Sequence, residues 1–204
     1  MALSLFLSEY KLNPPECFFA KIREFCELLL EANKSTNLVS KNDEQKLMTR
    51  HIADSLIFAA YLTEQQKANG SQWADIGSGA GFPVIPLCIY FPQVKFYAIE
   101  CRKKRCEFLN SVKQKLNLQN LEIIQGRTLP HPPVDFVSCR AVSSLENDFA
   151  LAQKIMKKDG IFLTVKSKRI IDEMKAKKSK LLERAKIWNY RLPQEEMEYV
   201  HVQI

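Results

Sequence analysis

The chain of 204 residues lacks the segments by which membrane and secreted proteins are usually recognised. No apolar run approaches the roughly 18–20 residues that a membrane-spanning helix needs. The amino terminus also lacks the basic segment and following apolar segment of a signal peptide. We therefore expect no contact with a membrane and, by default, a cytoplasmic location.

The spacing of metal ligands is missing as well. The six cysteines form no C-x-x-C pair, and the three histidines lie far apart along the chain. Zinc sites usually draw on closely spaced cysteines and histidines, so we predict no metal site. Most of the cysteines fall within apolar helix or strand patterns, where a free cysteine acts as a small hydrophobic side chain. We expect them to be reduced and mostly buried.

Acidic residues are in the minority, and the formal net charge of +7 is unevenly spread. Residues 154–186 include twelve basic and four acidic side chains, and residues 102–105 form a second basic group. Such asymmetry suggests a polyanionic partner. A charged run alone favours a solvated helix face, and a nucleic acid becomes the better interpretation only beside a site for a nucleoside cofactor.

Glycine is scarce, yet three of the six glycines, Gly77, Gly79 and Gly81, stand at alternate positions after the apolar run 73–76. This pattern predicts a strand, a glycine-rich turn and then a helix whose first turn suits Pro83. Glycine lets the backbone approach a ligand closely and adopts positive φ. The helix amino terminus behind the turn offers free N–H groups and a partial positive charge.

Two acidic residues accompany this turn. Asp75 stands two residues before Gly77, and Glu100 ends the apolar run 94–99. An acidic residue at the tip of the second parallel strand can accept both hydroxyls of a ribose. The glycine spacing differs from the G-x-G-x-x-G of dinucleotide sites, and the combination resembles the cofactor half of class I S-adenosylmethionine (AdoMet) methyltransferases. A tight turn without a ligand is the alternative.

Apolar periodicity predicts an alternation of strands and helices after residue 72. The predicted strands lie at about 73–76, 94–100, 121–125, 134–139, 160–166, 187–192 and 197–203. One predicted helix lies at about 14–32, and a second runs from a cap at Asp43 to Ala60. Further helices are predicted at about 83–91, 102–117, 144–157 and 169–186. The alternation indicates a parallel sheet with helices on both faces and a final antiparallel hairpin. We predict a helical N-terminal extension over residues 1–70 and a cofactor domain over 71–204.

Ligands of open parallel sheets bind beyond the carboxyl ends of the strands. Arg127 and Arg140 both follow strand-like runs, so both guanidiniums could face this cleft, together with Lys166. Arginine binds phosphate in a bidentate manner and stacks on bases. The alternative is that either arginine pairs with Asp75 or Glu100 and only holds the loops.

The segment Arg50-His51-Ile52-Ala53-Asp54-Ser55 lies on the second predicted helix. His51 and Ser55 share a helix face, and Arg50 and Asp54 have the spacing of an ion pair. We interpret the segment as a hydrogen-bonded docking surface, with substrate contact as the alternative. Because the chain has no nucleophile elbow, we predict no Ser-His-Asp catalytic site.

Together these segments resemble the RsmG (GidB) family, whose members methylate N7 of a guanine in bacterial small-subunit ribosomal RNA. The resemblance spans about residues 16–170 and is carried by Asn37-Leu38, Arg50 to Leu56, Asp75 to Pro86, Lys104-Arg105 with Phe108-Leu109, and Ser138 to Ala141. It implies a Rossmann-like α/β fold with a seven-stranded, doubly wound sheet, and AdoMet as the cofactor. It also implies 16S ribosomal RNA, or the assembling small subunit, as the partner of a monomeric enzyme.

The resemblance also implies a set of AdoMet contacts. They are Gly77, Gly79, Phe82, Glu100, the backbone of Thr128 and Leu129, and Arg140. The family usually has Ala-Glu where this chain has Thr128-Leu129, so only a backbone contact with adenine is expected there. Cys139 replaces a serine of the family, and Ser167 replaces a common glycine.

Guanine N7 carries an exposed lone pair, so its methylation needs no general base. A reaction without a general base suits a cleft of arginines, in which Arg127 and Arg140 are the candidates for orienting guanine or phosphate.

Two other functions remain open: a class I methyltransferase of a small molecule or protein, and an RNA-binding protein with a vestigial cofactor pocket. An exocyclic-amine methyltransferase would carry N/D-P-P-Y/F after the fourth strand, which is missing. A 5-methylcytosine enzyme needs a nucleophilic cysteine, and Cys139 lacks the usual Pro-Cys or Thr-Cys setting.

Overall fold

The computed structural model describes residues 2–62, 70–128, 133–140, 144–176, 179–193, 195 and 198–204. Its seven strands form one sheet in the order β3-β2-β1-β4-β5-β7-β6. The strands are β1 Gln72–Ile76, β2 Lys95–Glu100, β3 Leu121–Gln125, β4 Val134–Arg140, β5 Met156–Ser167, β6 Lys186–Arg191 and β7 Glu198–Gln203. Strands β1 to β5 are parallel, and β7 runs antiparallel to β5 and β6. The predicted sheet and its terminal antiparallel hairpin are confirmed.

Eight α-helices lie within the described residues. They are α1 Ala2–Glu9, α2 Phe18–Thr36, α3 Lys41–Glu44, α4 Ala53–Ala60, α5 Val84–Tyr90, α6 Lys103–Lys115, α7 Leu145–Gln153 and α8 Lys168–Ala176. A π-helical segment, Leu47–Ile52, leads into α4, and a 3-10 turn, Leu182–Arg184, precedes β6. None of the described helices combines the length and the apolar character that crossing a membrane would require.

Two predicted helices near the carboxyl terminus were too long. The helix predicted over 144–157 ends at Gln153, because Met156 already pairs with Val134 as the first residue of β5. The helix predicted over 169–186 ends at Ala176, and Lys186 belongs to β6. Lys177 and Lys178, within that predicted helix, lie outside the described residues.

The N-terminal prediction also needs correction. Helix α1 was not predicted, and Asp43 is not a helix cap. Ser40 caps α3 instead, since its hydroxyl accepts a hydrogen bond of 3.2 Å from the backbone N–H of Asp43. The single helix expected from Asp43 to Ala60 is divided into α3, the π-helical segment and α4.

Helices cover both faces of the sheet, as the doubly wound fold requires. Alternate residues of each strand point to opposite faces, so Trp73 packs in one cluster with α2, α4, α5 and α6. Its neighbour Ala74 packs in a second cluster with α7 and α8. Helices α2 and α4 share a hydrophobic cluster with the sheet. The division of the chain into two parts at residue 70 stays a prediction. Four of the six cysteines are buried, as expected.

Candidate cofactor and substrate site

The three glycines of the turn after β1 have positive φ, at 76°, 54° and 94° for Gly77, Gly79 and Gly81. Their surroundings differ. A Cβ at Gly81 would lie 2.7 Å from Cγ1 of Ile85, so packing alone requires glycine there. A Cβ at Gly79 would meet nothing closer than Nη1 of Arg105 at 3.5 Å. Gly79 is buried but has room for a Cβ, so its positive φ is what favours glycine there, whereas Gly77 is the exposed glycine of the turn.

Glu100, at the carboxyl end of β2, lies against this turn. Its carboxylate accepts hydrogen bonds from the backbone N–H of Gly79 at 3.0 Å and of Arg102 at 2.8 Å. Arg105 adds a positive charge 3.7 Å from Oε2. Burial raises the pKa of Glu100, but these two hydrogen bonds and the arginine outweigh it and hold the pKa below its ordinary value. Glu100 is thus an ionised acceptor beside the glycine turn.

Asp75, in β1, is a buried carboxylate with one free oxygen. Its Oδ1 accepts a hydrogen bond of 2.7 Å from the Ser138 hydroxyl, which itself accepts one of 2.9 Å from the Trp73 indole. Its Oδ2 has no hydrogen-bond partner within the described part of the chain. Burial raises the pKa of Asp75 to about 7. A buried carboxylate oxygen of this kind calls for a donor or a cation, which the described residues do not supply.

Arg140, the last residue of β4, is held by the N-terminal helices. Its Nη2 lies 2.9 Å from Oδ2 of Asp54, and its Nη1 is 3.5 Å from the Ser55 hydroxyl. The Tyr190 hydroxyl donates a hydrogen bond to Oδ1 of the same Asp54. Asp54 is therefore the carboxylate partner of Arg140, in place of Asp75 or Glu100.

The ion pair predicted between Arg50 and Asp54 is wrong. Arg50 lies 3.4 Å from Oδ1 of Asp43 and 3.5 Å from Oε1 of Glu195. The π-helical turn before α4 explains the difference, because the prediction assumed α-helical spacing. Asp54 is free to face Arg140 as a result.

His51 connects the same segment to the glycine turn. Its ring stacks on Phe82, with the centroids 5.0 Å apart, and its Nε2 lies 3.1 Å from Oδ1 of Asp43. Burial and the charge of Arg140 lower the pKa of His51, against the opposing effect of Asp43. The segment 50–55 thus contacts two predicted site residues, Phe82 and Arg140, and its role as a docking surface stays a prediction.

The remaining predicted residues divide into exposed and buried groups. Arg127 and Thr128 are exposed on the loop after β3, and Leu129 lies outside the described residues. Lys166 is not presented to the cleft, because it is buried in an ion pair of 2.8 Å with Asp148. Cys139 is fully buried, and burial raises the pKa of its thiol well above the ordinary value, so a nucleophilic role finds no support.

The chain is similar in sequence to known proteins over most of its length. The family model described as rRNA small subunit methyltransferase G (GidB) matches residues 19–196. The ribosomal RNA small subunit methyltransferase G of Ectopseudomonas mendocina is 36% identical over 152 residues, covering 73% of this chain and 69% of the relative. The protein of the same description from Mycoplasma mobile is 37% identical over 166 residues, covering 79% and 72%.

Solved structures show the same architecture at low sequence identity. An AdoMet-dependent methyltransferase of Aquifex aeolicus has a TM-score of 0.57 at 14% identity, covering 86% of this chain and 96% of its own. TYW2 of M. jannaschii, solved in complex with AdoMet, has a TM-score of 0.51 at 16% identity, covering 69% and 71%. The predicted class I methyltransferase fold is confirmed.

Proposed function

This chain belongs to the rRNA small subunit methyltransferase G family, and we propose that it transfers the methyl group of AdoMet to N7 of a guanine in 16S ribosomal RNA. One observation carries the proposal beyond family membership. The glycine turn and the ionised Glu100 are joined by the hydrogen bond from Gly79, which places a ribose acceptor beside the backbone of the turn.

The acidic residues beside the turn fit AdoMet. An ionised carboxylate has about four lone-pair sites, so Glu100 keeps acceptor capacity for two ribose hydroxyls besides its bonds to Gly79 and Arg102. The free Oδ2 of Asp75 suits the ammonium group of the cofactor. We propose further contacts at Gly77, Phe82, Arg140 and the backbone of Thr128 and Leu129.

The reaction requires positioning more than acid–base chemistry. When bound, AdoMet supplies an electrophilic methyl group on a positively charged sulfur. Arg140 orients the guanine so that its N7 lone pair lies in line with that methyl group, and orientation of two reactants is itself a large rate effect. The arginine remains protonated at physiological pH, so it holds the base and removes no proton. Arg127, exposed on its loop, is the candidate for a phosphate of the RNA.

An RNA partner is supported by the cations at the carboxyl edge of the sheet. Exposed basic side chains end or closely follow four strands: Arg102 after β2, Arg127 after β3, Lys168 and Arg169 after β5, and Arg191 in β6. Ser167, Lys168, Arg169 and Glu198 line a groove of about 580 Å³ at this edge. Cations beside a groove suit a phosphate backbone.

The basic segment 154–186 is not one continuous patch. Lys157 lies at the amino end of β5 and Arg169 beyond its carboxyl end. Lys157 pairs with Asp135 near the start of β4, whereas Val165 lies opposite Arg140 at the end of β4, so Lys157 and Arg169 lie at opposite edges of the sheet. We therefore assign RNA contact to the carboxyl edge, and propose that a monomer acts in the cytoplasm on 16S ribosomal RNA, either free or within an assembling small subunit.

The proposal is tested by mapping N7-methylguanine in 16S ribosomal RNA from cells with and without the gene. We expect one modified guanine to lose its methyl group in the deletion strain and regain it on complementation. An unchanged methylation map would contradict the proposal and favour a small-molecule substrate or a vestigial pocket.

A further inference from the structure

We propose that Asp54 and Tyr190 are positioning residues that hold the guanidinium of Arg140 in the orientation needed for methyl transfer. The role rests on the proposed function and extends the site to β6, the edge strand of the sheet.

The carboxylate of Asp54 lies between Arg140 and Tyr190. Its Oδ2 is 2.9 Å from Nη2 of Arg140, and its Oδ1 accepts the hydrogen bond of Tyr190. Asp54 is 5% exposed and Tyr190 3%, so water hardly competes for the carboxylate. One buried group therefore joins α4, β4 and β6.

Ser55 holds the same arginine at a second point. Its hydroxyl donates a hydrogen bond of 2.6 Å to the backbone carbonyl of His51 and lies 3.5 Å from Nη1 of Arg140. A guanidinium carries five N–H donors in a rigid plane. The contacts at Nη1 and Nη2 fix that plane, and among the described residues they leave the other donors of Arg140 for a substrate.

Stability alone does not explain this arrangement. The desolvation of a buried ion pair commonly offsets its Coulomb attraction, so such pairs are weak evidence for stabilisation. The Tyr190 hydroxyl fixes the second oxygen of Asp54, and with it the rotation of the carboxylate. Without that hydroxyl Asp54 can turn, and Arg140 turns with it. Small displacements of a positioning group have large effects on rate.

The test is a double-mutant cycle of Tyr190→Phe and Arg140→Ala. Single-turnover rates are measured with 16S ribosomal RNA at saturating AdoMet, with enzyme in excess so that small rates are resolved. We expect Tyr190→Phe to lower the rate about tenfold in the wild-type chain, as for a hydrogen bond to a charged group. In the Arg140→Ala chain the same change should lower it less than about twofold, since the positioned group is gone.

Two further variants make the test specific. Tyr199→Phe removes a hydroxyl that donates to Glu195 from the adjacent strand, with its ring 5.7 Å from that of Tyr190, and should leave the rate near the wild-type value. The cycle is repeated on Arg140→Lys, which keeps the charge without the planar fork. Melting temperatures confirm that each variant is folded at the assay temperature.

Equal rate losses on both Arg140 backgrounds would overturn the positioning role, because Tyr190 would then act independently of Arg140. An unchanged rate for Tyr190→Phe in the wild-type chain would overturn it as well. A wild-type chain that methylates no ribosomal RNA would instead contradict the proposed function, and this result is obtained before any variant is compared.

Discussion

The backbone N–H of Gly79 donates a hydrogen bond of 3.0 Å to the carboxylate of Glu100, 21 residues further along the chain. The parallel pairing of β1 with β2 brings them together, since Ile76 lies opposite Ile99 in the ladder. The bond fixes the turn and the carboxylate relative to each other. A ligand that contacts one of them therefore lies beside the other.

Gly79 and Gly81 should respond differently to alanine. Gly79→Ala adds a methyl group to the part of the turn where we propose that the cofactor binds, so AdoMet affinity should fall at least about tenfold, while the positive φ costs on the order of 1 kcal/mol of stability. Gly81→Ala drives its methyl group into Ile85, so it should lower the melting temperature more strongly. Calorimetric AdoMet titration and thermal melts measure both effects. Wild-type AdoMet affinity in Gly79→Ala would show that the cofactor lies elsewhere.

AdoMet affinity should depend on pH through Asp75. Its pKa of about 7 means that the carboxylate is mostly protonated at pH 6 and mostly ionised at pH 7.5. Only the ionised form attracts an ammonium group, so affinity should rise about eightfold over this range, in which an α-amino group near pKa 8 stays mostly protonated. Asp75→Asn should bind more weakly and without this slope. A slope that persists in Asp75→Asn would assign the titration to another group.

His201 should make the fold sensitive to acid. It is fully buried against Phe58, Tyr61 and Trp188, and burial lowers its pKa to about 3. A histidine with a lowered folded pKa stabilises the native state above its unfolded pKa near 6.5, and this contribution is lost as the pH falls. Between pH 7 and pH 5 the loss is about 2 kcal/mol.

His201→Phe should remove that loss. The free energy of unfolding, measured by urea titration at both pH values, should therefore drop about 2 kcal/mol less in the variant than in the wild type. Equal drops in the two proteins would mean that His201 is hydrated or paired in solution.

RNA binding should depend on cations at one edge of the sheet only. Arg169→Gln, at the carboxyl edge, should weaken RNA binding and reduce the slope of log affinity against log salt by about one unit. Lys157→Gln, at the opposite end of β5, is the matched control and should change neither. If the two substitutions have the same effect, the RNA does not lie along the carboxyl edge.

Much of the sheet and its cofactor turn could be predicted from the sequence, because both depend on local patterns. Apolar runs with period two mark buried strands, and the alternate glycines require no distant partner to be recognised. The start of β5 could not be predicted in this way. Residues 157–159 are charged and exposed and lie in an irregularity of the ladder, and only the pairing of Met156 and Ile161 with β4 on either side makes this region part of a strand.

The surroundings of Arg140 were also beyond local patterns. The sequence marks Asp54 as a site residue, yet α-helical spacing predicts the wrong partner for it, because the segment before α4 is π-helical. Tyr190 carries no motif, and its contact with Asp54 joins residues 136 positions apart. Such contacts depend on how α4 packs over the sheet, and no short-range pattern records that packing.

Guanine N7 is the methyl acceptor that we propose. The most direct measurement compares single-turnover methyl transfer to 16S ribosomal RNA carrying guanine or 7-deazaguanine at the target position. The deaza base keeps Watson–Crick pairing and lacks only the N7 lone pair, so we expect RNA binding to be retained and methyl transfer to be abolished. Methylation of the 7-deazaguanine substrate at an undiminished rate would show that another atom accepts the methyl group and would contradict the proposed reaction.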